Sequence, residues 1–115
     1  MSGMDSFLRA VDLMGENKFA EAQQLLESAL VSEPDNCDLY EALVRLCDKT
    51  DQNDKGLAVC QTWVQKDPTS NMALSNLSVF YQKLNRIEEA ELAKAQATTL
   101  FMKQQMAEAR RVKNG

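Results

Sequence analysis

Three cysteines are the residues of this chain best suited to chemistry, and the sequence contains no histidine to work with them. Cys37, Cys47 and Cys60 lack the close CxxC spacing of a structural zinc site. Three thiolates without an imidazole also leave a tetrahedral site one ligand short. Cys47 and Cys60 fall at apolar positions of their segments, the pattern of reduced core cysteines. Cys37 follows the Pro34 turn and is expected nearer the surface; no basic residue adjoins it to favour a thiolate. Without histidine there is no Cys–His or Ser–His pair, and no glycine-rich phosphate loop occurs. The Glu88-Glu89 pair stands where a helix should begin, and carboxylates there favour the positive end of the helix dipole. The expectation is a protein that is not an enzyme and holds no cofactor and no metal.

Charge narrows the partners. The net charge is −4, yet from Lys103 onward four basic residues face only Glu108, so this tail carries +3. The remainder holds 9 basic and 16 acidic residues, or −7. An acidic body is unsuited to neutralising phosphates, so nucleic acid is not an expected partner. No apolar run approaches the roughly 18 residues of a membrane span. The first residues, Met1-Ser2-Gly3-Met4-Asp5-Ser6, show no basic region leading into an apolar stretch. The expected address is cytoplasmic.

The elements that position these residues read as helices throughout. Leu, Ala, Glu, Gln, Lys and Met dominate, with two prolines and four glycines. Helix 1 is predicted from about Asp5 to Met14, capped by Asp5 or Ser6 and closed by Gly15-Glu16-Asn17. Phe7, Ala10, Val11 and Met14 make its apolar stripe. Helix 2 should run from Phe19 to Ser32, where Pro34 stops it. Helix 3 starts near Asp38, helix 4 spans about Asp54 to Lys66 before Pro68, and helix 5 follows Thr69-Ser70-Asn71. Helix 6 starts near Ile87, meets no proline, and should reach about Arg111. Its residues 98–112, with Leu100, Phe101, Met106 and Val112, are expected to cover the open end of the helix stack.

The chain repeats itself every 34 residues. Ala22 maps to Gly56 and Ala90, Asn17 to Asp51 and Asn85, Leu13 to Cys47 and Tyr81, and Pro34 to Pro68, with Met102 in the third copy. Small residues (Ala10, Ala22, Ala29, Gly56, Ala90, Ala97) recur where two helices would touch, and large ones (Leu13, Tyr40, Leu43, Leu74, Leu77, Tyr81) between them. In these features the chain resembles the tetratricopeptide repeat family over about residues 3 to 104. The resemblance implies an all-α fold of three antiparallel helix pairs stacked as a right-handed superhelix. One domain over 1–115 is expected, with repeats at about 3–36, 37–70 and 71–104 and a long C-terminal helix extension. Two departures bear on packing. Ser6 stands where the family has a bulky residue; either Phe7 replaces it, with helix 1 rotated, or the stripe of helix 1 faces the groove. Val44 and Trp63 replace small residues, so repeat two should pack more widely or leave Trp63 partly exposed.

In this family the first helix of each pair lines a concave groove that binds a peptide or helix. The resemblance places Phe7, Val11 and Met14 of helix 1 there, with Glu41, Arg45, Asp48 and Lys49 of helix 3 and Ser75, Val79, Gln82 and Lys83 of helix 5. The implied function is a non-enzymatic protein-interaction module. The family's clamp for chaperone C-termini is absent, because the corresponding positions look to be Phe7, Val11, Ala42, Met72 and Asn76, none of them cationic. Two other readings stay open. One is a homodimer assembled through Phe7, Val11 and Met14, or through Trp63 with Phe101. The other is a small dedicated chaperone for an aggregation-prone partner subunit.

Overall fold

The computed structural model describes residues 2–114, which form six α-helices and, among these residues, no strand. They are α1 (Gly3–Gly15), α2 (Phe19–Ser32), α3 (Cys37–Lys49), α4 (Asn53–Lys66), α5 (Asn71–Lys83) and α6 (Ile87–Asn114). Met1 and Gly115, the ends of the expected 1–115 span, lie outside the described residues.

The helix boundaries are local chemistry repeated at the period of 34. Ser2, Asn36 and Ser70 cap α1, α3 and α5, each side-chain oxygen accepting a backbone N–H two or three residues on. The cap of α1 is thus Ser2 rather than Asp5 or Ser6; Asp5 lies in the first turn and donates its N–H to the Ser2 hydroxyl oxygen at 3.1 Å. Within each pair the turn has one left-handed residue, Asn17 (φ 61°), Asp51 (φ 55°) and Asn85 (φ 60°). Side chains of this kind tolerate that conformation at least strain. The next residue's N–H then reaches back to a helix carbonyl, Lys18 to Leu13 at 2.8 Å, Gln52 to Cys47 at 2.9 Å and Arg86 to Tyr81 at 2.8 Å. This is the Schellman closure. Gly15 stays helical; the asparagine two residues after it makes the turn.

Each pair packs within itself, and α3 lies against both α1 and α2 while α5 packs on α4. One apolar core runs through the stack. α4 and α5 approach closely at Gly56, where an added Cβ would lie 2.5 Å from Cζ and 2.7 Å from Cδ1 of the fully buried Phe80. Ser78 is also buried, and its hydroxyl donates to the Ala90 carbonyl at 2.9 Å, joining α5 to α6.

The structure decides between two pairs of alternatives and corrects one expectation. Ser6 is 3% exposed while Phe7 is only half-buried, so α1 keeps the register of the other first helices and is not rotated. Of the two alternatives for repeat two, partial exposure of Trp63 is not the one adopted: Trp63 is 3% exposed, and its indole N–H finds no partner among the described residues. The long last helix forms and runs to Asn114, but it covers the stack only through Leu100. Every residue from Phe101 to Asn114 is exposed, Phe101, Met102, Met106 and Val112 included. Gln104 marks the last tie to the body. Its side-chain oxygen accepts from Asn71 at 2.6 Å, and its amide donates to the Thr69 carbonyl at 3.0 Å. Beyond it α6 carries Met106 and Val112 past the start of α5.

Candidate partner-binding groove

The face built by α1, α3 and α5 holds most of the residues expected to meet a partner, and it divides them into three groups. Val11 and Met14 of α1 join Arg45 and Lys49 of α3 around a cavity of about 180 Å³, with Gly15 on its edge. Val11 is 37% exposed there; Met14 is 8% exposed and belongs mainly to the core. Phe7 packs half-buried against the core and does not line this cavity. The two alternatives for helix 1 therefore separate by residue, because an i, i+3, i+4 stripe is wider than the strip of core beneath it.

At the other end, Ser75, Val79 and Gln82 of α5 line a cavity of about 280 Å³ with Lys94, Ala97 and Thr98 of α6. The α6 residues were not among those expected. They lie 34 residues beyond Cys60, Trp63 and Val64, which are buried or half-buried in the preceding pair. A signal for them was present in the repeat: at the open end, positions otherwise covered by the next first helix carry lysine and threonine.

Between these cavities, Lys83 of α5 forms an ion pair with Asp48 of α3, and its ammonium lies 5.4 Å from the centroid of the Phe80 ring. Glu41 is half-buried and paired with Arg45 at 3.0 Å. Both pairs are largely solvated, so each contributes little to stability. They set the charge pattern of the face. Lys49 and Lys94 have no carboxylate within ion-pair distance among the described residues, which leaves a cation beside each cavity.

A tetratricopeptide repeat model matches residues 13–77, more than half of the chain. The chain belongs to the tetratricopeptide repeat family. Solved structures agree on the fold. The protein MamA superposes with a TM-score of 0.86 at 16% identity, over 91% of this chain and 61% of MamA. A form of MamA from Desulfovibrio magneticus RS-1 gives 0.80 at 21% identity, covering 88% and 57%. The second tetratricopeptide domain of Spaghetti (RPAP3), solved with an HSP90 peptide, gives 0.79 at 14% identity, covering 87% and 93%. In sequence, the chain is 38% identical over 69 residues to the human zinc finger C3H1 domain-containing protein. Those residues are 60% of this chain and 4% of that protein, so the match spans a small part of the relative.

The cysteines complete the inventory of chemical groups. Burial pushes the Cys47 thiol up to about 11 and the Cys60 thiol up to about 12. Cys37 is half-buried, nearer the surface than the other two; burial, then Asp67 and its other acidic neighbours, raises it too. All three are held as neutral thiols at pH 7, poor nucleophiles and poor metal ligands. No group of three or more metal-ligating side chains comes together among the described residues, and no helix there is long and apolar enough to cross a membrane.

Proposed function

We propose that this tetratricopeptide domain is a non-enzymatic interaction module that binds a helix or extended segment of a partner protein along the α1–α3–α5 face. The observation that carries the reading is the pairing of an apolar side chain with a cation at both ends of that face, Val11 with Lys49 and Val79 with Lys94. A partner segment bearing apolar residues with acidic neighbours matches this pattern. Specificity for chaperone C-termini is not proposed. Of the clamp positions, Ala42 is buried, and the Asn76 amide donates to the Met72 carbonyl of its own helix at 2.8 Å.

Photo-crosslinking tests the reading. A benzoylphenylalanine placed at Val11 or Val79 should capture one partner band from cell extract, while the same group at Val31, 84% exposed on α2, should not. Equal capture from all three positions would refute it.

Self-association remains as a second reading on altered grounds. The patches first expected for it do not form, since Met14 and Trp63 are buried. Phe101, Met102 and Met106 on the exposed C-terminal half of α6 supply an apolar surface instead. Light scattering over a dilution series decides it, a monomer at every concentration excluding the dimer.

A further inference from the structure

The repeat furnishes an internal template for a second cavity, formed by the end of α4 with α5 and α6. Between the first and second helix pairs, Tyr40 of α3 is buried against the C-terminal end of α2, and its hydroxyl donates to the Pro34 carbonyl at 2.6 Å. Asp35, next to Pro34, is paired with Lys66 at the end of α4 at 3.0 Å. Thirty-four residues on, Pro34 becomes Pro68, Asp35 becomes Thr69 and Lys66 becomes Leu100, while Tyr40 becomes Leu74. Leucine lacks the ring and has no hydroxyl to give the Pro68 carbonyl. At this equivalent place the structure holds an open cavity of about 410 Å³, walled by Val64, Pro68, Leu74 and Leu100 with Lys103 at its edge. That size falls within the range of sites that accept a ligand group.

We propose that this cavity is a docking slot for a tyrosine side chain of a partner protein, the ring lying on Val64, Leu74 and Leu100 and the hydroxyl donating to the Pro68 carbonyl. The internal copy shows which group the backbone frame is shaped to hold. A second copy of this chain cannot supply it. Its tyrosines are Tyr40, already buried, and Tyr81, half-buried with its hydroxyl accepting from Gln61 at 3.3 Å and its ring under Arg86. The slot is formed by α4, α5 and α6 and is independent of the groove, so either site can fail without the other.

The test is methyl NMR of the full chain titrated with N-acetyl-L-tyrosinamide. The Val64, Leu74 and Leu100 methyl signals should shift saturably. N-acetyl-O-methyl-L-tyrosinamide, which cannot donate to the carbonyl, and the phenylalaninamide should each bind roughly fivefold more weakly. Leu74→Tyr should fill the slot from within, raise the thermal midpoint and abolish the shifts at Val64 and Leu100. If that variant does not fold, Ala95→Leu on the exposed rim should weaken binding at least about fivefold. Equal binding of the tyrosine and phenylalanine amides would overturn the proposal. So would shifts confined to other methyl groups, or undiminished binding in both variants.

Discussion

Gly56→Ala sets two effects of known sign against each other. In the interior of a helix, alanine is favoured over glycine by about 1 kcal/mol. At Gly56 the new methyl group would sit 2.5 Å from Phe80 Cζ and nearer still to Cε1, against the roughly 3.5 Å of a comfortable carbon–carbon contact. The ring must therefore retreat by roughly 1 Å, and Phe80 is fully buried in a close-packed interior with nowhere to go. Overpacking of this kind costs about 1–3 kcal/mol, and so severe an overlap belongs at the upper end. The expected net loss is about 2 kcal/mol, or a thermal midpoint lower by about 8 °C for a domain of this size. Urea and thermal unfolding followed by circular dichroism measure it. Gly15→Ala is the control: a Cβ there meets nothing within 4 Å, so that variant should be unchanged or gain up to about 1 kcal/mol. Trimming the ring by Phe80→Leu should recover part of the Gly56→Ala loss, a coupling of about 1 kcal/mol or more in the double-mutant cycle. If Gly56→Ala instead gains stability as Gly15→Ala does, the close approach of α4 to α5 at this point is wrong.

Two further predictions concern the thiols and the tail. Cys47 and Cys60 ionise only at about 11 and about 12 when folded, against 9.0 for a free thiol. Their contribution to stability is therefore intact below pH 9 and lost as pH rises from there towards 12, because the unfolded chain alone gives up those protons. Between pH 8 and pH 10 the wild type should lose about 1.4 kcal/mol per thiol more than the Cys47→Ala/Cys60→Ala variant. Parallel decline of the two in urea titrations would disprove this. Deleting residues 106–114, all exposed, should move the thermal midpoint by no more than about 4 °C while lowering helical ellipticity in proportion. A larger drop would mean that the tail packs against the body.

By itself the sequence determined the elements and their recurrence. Asn17, Asp51 and Asn85 tolerate a left-handed backbone, prolines close α2 and α4, and Asn36 and Ser70 cap α3 and α5. These are interactions within a few residues, so they are readable without knowing the fold, and a period of 34 extends them to the whole chain. Even the missing third proline was informative, since α6 does run on to Asn114. The tertiary structure decided which apolar side chains are covered. Met14 and Val11 lie on one stripe of α1 and border one cavity, yet Met14 is buried in the core while Val11 is exposed. Trp63 occupies a position usually small and is buried all the same. Phe101 and Met106 have the composition of a cap, yet Phe101 is half exposed beside the start of α5 and Met106 lies past Gln104, the last residue tied to the body. Burial depends on what lies across the interface, and periodicity within one helix carries no information about that. The slot beside Leu74 combines both sources. The exchange of Tyr40 for Leu74 is visible in the repeat, while the space it leaves exists only because α6 and the end of α4 keep their places around it.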